Sequence, residues 1–280
     1  MTPSSEPMHD LTSLVAEWPD PSEAAIGVTT PSATIGRGGD TSRVSRIASV
    51  SKVFVGLTAL VAIEEGTLDL DEPAGRPGAT VRHLLAHAAG YDFDTDRIIA
   101  DVGSRRIYSN TGIEVFADHL VDRSGMSFAE YQHEAVIAPL AMVSTDLRGS
   151  PAYDMYSCVD DLLLLGRELL VPTLISPATL AEATRPQFGG LGGVIPGLGR
   201  FHSNPWGLGM EIRGTKQPHW TGTTNSPETF GHFGGSGTFF WVDPVAQLAC
   251  MAISGTEYGA WALDVWLTAS DTVLAMVGRD

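Results

Sequence analysis

The stretch "RIASVSKVF" places Ser49 three residues ahead of Lys52 at the mouth of an apolar run. Lys52 is one of only two lysines in a chain whose Lys and Arg total 17; the other is Lys216. On a helix, residues i and i+3 share a face, so the two side chains would be neighbours. A serine hydroxyl is a weak nucleophile until a base takes its proton, and a lysine whose pKa is lowered by burial can be that base. Ser49 would stand at the helix N-terminus, where free backbone N–H groups and the dipole favour developing negative charge. The spacing alone reads equally as an N-cap serine followed by a solvated lysine.

Two other stretches offer chemistry. "YSN" sets Tyr108 and Asn110 just before a helical pattern: a phenol able to shuttle a proton and an amide able to hold a carbonyl. Packing for Tyr108 and a helix cap for Asn110 would explain the same letters. "GHFGGSGTFFWVDP" carries His232 and a run of small residues into a strand. Small residues at a strand edge admit a substrate to the backbone and leave N–H groups for an oxyanion, although a tight turn needs them too.

The elements that must position these residues are readable. "AAIGVTT" and "ATIGRGG" predict two strands about a turn at Pro31–Ser32, and "SRVSRIAS" a third ending at Ser49. Apolar residues at 50, 53, 54, 57, 60 and 61 recur at helical spacing until Gly66. Helical text continues to about residue 185, including "TVRHLLAHAAG", in which His83 and His87 read as structural members of one helix. The glycine-rich 188–200 stretch reads as a mobile rim loop. "WGLGMEIR", "GTFFWVD" and "AQLACMAIS" predict further strands, and a last helix starts near Ala260. Strands at both ends with helices between predict an α/β fold of the α+β type. One sheet would be built from about 22–48 and 205–280, with a helical subdomain at about 49–204, in a single domain spanning 1–280.

Taken in this order, the three motifs and the text around them resemble the serine β-lactamase-like superfamily. That group comprises class C β-lactamases, DD-peptidases, D-aminopeptidases and family VIII carboxylesterases. "EEGTLDLDEP", "TVRHLLAHAAG", "YSNTGIEVFADHLVDRSGMSFAEYQHEAVIAPLAM", "WGLGMEI" and "FGHFGGSGTFFWVDP" extend the resemblance over nearly the whole chain from residue 22. It implies an antiparallel sheet flanked by helices, with Ser49 as acylated nucleophile, Lys52 as base and Tyr108 as proton shuttle. Asn110, His232, Gly234 and Gly235 would bind substrate, with the N–H groups of Ser49 and Gly235 as oxyanion hole. No metal or cofactor is implied. The third motif departs from the pattern: His232–Phe233–Gly234 stands where β-lactamases and most DD-peptidases carry Lys-Thr-Gly. A neutral histidine holds a substrate carboxylate poorly, which favours small esters or amides over β-lactams. The short 59-residue interval from Ser49 to Tyr108 implies a trimmed loop and a site open on one side. A β-lactamase or D-amino-acid peptidase, a transacylase, or a non-hydrolytic binding module on the same fold are the alternatives.

The composition narrows the partners. A formal net charge of −16, with no basic cluster, excludes nucleic acid and anionic membranes as natural partners. "MTPSSEPMHDLTSLVAEW" reads as a polar leader running into a short helix rather than a signal peptide, and Asp264 and Asp271 interrupt the apolar C-terminal stretch. Cys158 and Cys250 read as separate buried thiols, so the expected compartment is the cytoplasm. Self-association into a homo-oligomer stays open.

Overall fold

The computed structural model describes residues 8–277; the polar leader expected at the N-terminus falls mostly in residues 1–7, outside the described residues. A seven-stranded sheet takes strands from both ends of the chain. Its order is His9–Asp10, Thr34–Gly39, Ala25–Thr29, Leu248–Ile253, Thr238–Asp243, Phe230–Gly234 and Glu211–Ile212. The first pair is parallel and every other pair antiparallel. Alternation along the central strands divides the core. Phe240, Val242, Ala249 and Met251 face the helices of the middle region. Phe239, Trp241, Cys250 and Ala252 face the terminal helix Ala260–Val277, against Ala262, Trp266 and Val273. The two cysteines are free and buried.

Residues 51–62 of the Ser51–Glu64 helix are all buried. The sequence shows an apolar stripe there, but a helix surrounded by protein buries every face. One consequence is that Lys52 is enclosed. Gly66, at φ +76°, lies just past the helix end in a backbone conformation that favours glycine.

Three expectations need correction. The strand before Ser49 is only Ser45–Arg46, and it joins Met155–Ser157 and Asp146–Leu147 in a separate small sheet. The chain then turns sharply through Ala48–Val50, because Ser49 must leave the sheet to meet the helical region. The glycine-rich segment contains a hairpin, Gly193–Ile195 with Gly199–Phe201, whose first strand runs parallel to Arg106–Ile107. A side chain at Gly193 would collide with the Arg106 carbonyl, so glycine there permits the pairing. Finally, the helix with His83 ends at Leu85, and His87 follows at φ +53°. The two histidines therefore do not share a helix face.

The second lysine is also buried. Lys216 reaches the Glu211 carboxylate at 2.6 Å, which further accepts Trp220 Nε1 at 2.8 Å and lies 3.1 Å from His219 Nε2. Burial alone would raise the Glu211 carboxyl; Lys216 and His219 outweigh it and hold it below its usual range. Removing one partner of such a pair leaves an uncompensated buried charge. Lys216→Met is expected to destabilise the fold by about 3–5 kcal/mol in urea unfolding. The double variant Glu211→Gln/Lys216→Met should lose less; equal losses would show that the charges are not coupled.

Candidate functional site

The segment carrying Ser49 is clamped by hydroxyls. Three successive carbonyls each accept one: Arg46 O from Ser236 at 2.8 Å, Ile47 O from Thr238 at 2.8 Å, and Ala48 O from Ser51 at 2.5 Å. Ser51 Oγ also accepts the Met155 N–H at 3.1 Å, tying the turn to the small sheet. These bonds hold Ala48 at φ +45°, a conformation that costs a non-glycine residue on the order of 1 kcal/mol. Gly234 lets the sheet approach this turn, since a Cβ there would strike the Ile47 carbonyl and Thr238 Oγ1.

The three sequence motifs converge on Ser49. Tyr108 donates its hydroxyl to Ser49 Oγ at 2.7 Å, and Lys52 Nζ lies 3.3 Å from the same oxygen. Lys52 Nζ also donates to Asn110 Oδ1 at 2.6 Å and to the Ala152 carbonyl at 2.8 Å. It stands 4.7 Å from the centre of the Tyr108 ring. Ser109, not Asn110, caps the Asn110–Ser124 helix by accepting the Gly112 N–H, which leaves the Asn110 amide for the lysine. Asn110 Nδ2 in turn donates to Asp94 Oδ1 at 2.7 Å.

Burial sets the electrostatics. Lys52 is fully enclosed, and desolvation lowers its pKa to about 7, against the opposing pull of Asp94 and Glu114. A neutral amine is therefore well populated near neutral pH. Burial raises the Tyr108 phenol far above its ordinary value, so it remains a proton donor. Burial and the neighbouring Lys52 push His232 down to about 3, and Phe233 O, 2.6 Å from Nδ1, fixes the proton there. The same two causes hold His87 well below its usual range; its Nδ1 accepts the Ser109 N–H.

An open cleft of about 770 Å³ reaches Ser49, with Asn110, Asp94, Glu114, Tyr153 and Gly235 among its walls. Gly235 faces open space. His232 and Gly234, expected to bind substrate, are not among the residues that line this cleft. His232 is buried with its ring 5.5 Å from Tyr108, and Gly234 packs under the Ser49 turn. Among the described residues, no group of three or more His, Cys, Asp or Glu could hold a metal ion, and no helix is long and apolar enough to cross a membrane.

The β-lactamase family model matches residues 24–271. The chain belongs to the β-lactamase family. A β-lactamase structure from Mycobacterium bovis is 48% identical, covering 95% of this chain and 98% of its own, with a TM-score of 0.93. Two more distant structures share the fold. A mutant of simvastatin synthase from Aspergillus terreus is 16% identical over 96% of this chain and 94% of its own, at TM-score 0.77. EstCE1, a hydrolase with promiscuous acyltransferase activity, is 18% identical over 94% and 96%, also at TM-score 0.77. No curated protein matches the sequence. Members of the family are generally serine hydrolases acting on small ester, amide or β-lactam substrates.

Sequence reasoning missed four neighbours of this candidate site. Asp94 is one of three alternating aspartates at 92, 94 and 96, with nothing in the text to single it out. Glu114 is one more acidic residue on a helix, and the Ala152 carbonyl has no side-chain signal at all. His87 carries only a structural signal in the sequence, yet its ring lies 4.9 Å from Tyr108.

Because Asp94 and Glu114 favour the charged lysine, neutralising either should lower the Lys52 pKa further. Ser49 labelling by a fluorophosphonate is expected to rise with pH through about 7. Asp94→Asn and Glu114→Gln should each move that rise to lower pH. A rise that stays in place in both variants would remove these carboxylates from the site's electrostatics.

Proposed function

We propose that this chain is a serine hydrolase that forms an acyl-enzyme on Ser49, acting on small acyl esters or amides. The observation that carries the reading is the triangle of Ser49 Oγ, Lys52 Nζ and Tyr108 OH, with Lys52 poised to be neutral near pH 7. A general base is most effective with a pKa near the working pH. Neutral Lys52 takes the Ser49 proton as Oγ bonds to the substrate carbonyl carbon. The backbone N–H groups of Ser49 and Gly235 receive the oxyanion. Tyr108, held protonated by burial, delivers a proton to the leaving oxygen or nitrogen as that bond breaks, and the Lys52 ammonium restores it. Water then attacks the acyl-enzyme with the same lysine as base, releasing the acid and free Ser49.

The charge of the cleft favours esters and amides over β-lactams. Glu23, Asp94, Glu114 and Glu257 line it, while its one arginine, Arg46, is already bound to Asp154 at 2.9 Å. A β-lactam carboxylate would meet mainly like charge, and the neutral, buried His232 offers it no cation. The alternative of β-lactam turnover rests on the likeness to the M. bovis β-lactamase.

Intact-protein mass after incubation with a fluorophosphonate and, separately, a penicillin tests both readings. A single fluorophosphonate adduct that disappears in Ser49→Ala is expected. Faster labelling by penicillin, with nitrocefin turnover, would move the assignment to a β-lactamase. No adduct from either reagent would leave a binding module. Tyr108→Phe should keep the base but lose the shuttle, lowering kcat for short-chain esters by about 10²–10⁴.

A further inference from the structure

A second pocket, of about 310 Å³, opens beside Tyr108. Two chain segments separate it from the cleft at Ser49. Phe93 and Tyr108 line the pocket, whereas Asp94 and Asn110, one and two residues on, line the cleft. Tyr108 bridges the two through Ser49: its ring, stacked on Phe93 at 5.8 Å, forms pocket wall, and its hydroxyl reaches Ser49, which lines the cleft.

The lining has two chemical halves. Phe93, Ile99 and Val194 are large apolar side chains left at 43%, 43% and 45% exposure. Arg105 and Arg200 complete the rim. Across the hairpin sheet, Ile107 pairs with Val194 and Val194 with Arg200, so an apolar row ends in a cation. Every other described arginine has a hydrogen bond or ion pair within the protein. Arg37, Arg43, Arg46, Arg82, Arg97, Arg123, Arg148 and Arg185 meet carboxylates. Arg76, Arg106, Arg167 and Arg213 meet carbonyls or hydroxyls. Only the Arg105 and Arg200 side chains, among the described residues, have neither. In a chain of net charge −16, two unpaired guanidinium groups at one apolar pocket are a specific asymmetry.

We propose that this pocket receives the leaving-group arm of the substrate, a short apolar segment ending in an anion held by Arg105 and Arg200. The assignment to the leaving-group arm rests on the acyl-enzyme reading above, in which Tyr108 protonates the departing atom. Such an arm would have to pass the Tyr108 phenol, between the two segments, to reach this pocket. The volume lies at the small end for ligand pockets, about 300–1,000 Å³, which suits a short segment. Guanidinium pairs carboxylate and phosphate alike through its fork of donors, so either anion fits. Hydrolysis by this route breaks the acyl–oxygen bond, leaves the acid after deacylation, and releases an anionic alcohol carrying the proton from Tyr108. The molecule is then polarised: an acidic cleft on the acyl side and a cationic apolar pocket on the leaving-group side.

The test compares kcat/KM for acetate esters with matched aliphatic alcohols: hexyl acetate, 6-acetoxyhexanoate, 6-acetoxyhexyl phosphate and 6-acetoxyhexylammonium. Wild type is expected to prefer an anionic ester over hexyl acetate by about tenfold or more, and to disfavour the ammonium. The larger gain of the two anions names the group. In Arg105→Gln/Arg200→Gln the anionic-to-neutral ratio should fall to about one. No anionic preference in wild type, or the same preference in the double variant, overturns the proposal. Calorimetric binding of 6-hydroxyhexanoate and 6-hydroxyhexyl phosphate to Ser49→Ala separates this from failure of the hydrolase reading. Binding lost with both arginines upholds the pocket even if no ester is turned over. Absent or arginine-independent binding of both compounds sinks it even if esters are cleaved.

Discussion

The burial of one amine governs this molecule. Lys52 has no exposed surface, and its nitrogen is surrounded by Ser49 Oγ, the Asn110 amide oxygen and the Ala152 carbonyl. An ammonium there is costly, so the lysine sits near its neutral form at about pH 7. The same enclosure raises the Tyr108 phenol and keeps it protonated. One physical cause, removal from water, thus gives the two groups on Ser49 opposite characters: an amine able to accept a proton and a phenol able to give one.

That enclosure requires the helix carrying Lys52 to be surrounded, and the chain is built accordingly. Residues of the sheet's helical face, the Asn110–Ser124 helix and the Met155–Ser157 strand close around it. The turn before Ser49 is pinned through three consecutive carbonyls, which fixes the hydroxyl against its partners while leaving it at the cleft. Asp94 and Glu114 stand at the edge of the enclosure and oppose desolvation. The balance between burial, which lowers it, and these carboxylates, which raise it, sets the lysine's pKa.

Charge is distributed with the same selectivity. Both lysines are buried, one beside Ser49 and one neutralising Glu211 under the edge strand. Surface cations are arginines, and nearly all are paired. The exceptions gather at the small pocket beside Tyr108, while carboxylates dominate the main cleft. The space around Ser49 is therefore electrically asymmetric across the tyrosine.

Much of the site was legible in the sequence. Ser49–Lys52, Tyr108–Asn110 and the His232 strand stood out by residue type and spacing, and the fold brings Lys52 and Tyr108 to Ser49. The sheet built from both chain ends followed from where strand-like text lay. Spacing could not show that Ser109 would take the capping role and free Asn110, nor that His232 would be buried behind Tyr108, nor that Gly234 would serve close packing. Glycine-rich text at 188–200 looked like a loop because its hairpin needs glycine against the Arg106 backbone, a contact between residues far apart in the chain. Asp94, Glu114 and the Ala152 carbonyl carry no local pattern. The sequence by itself determined which titratable and hydroxyl groups stand at these positions. Tertiary structure decided their protonation, because burial and the approach of distant charges exist only once the chain is folded.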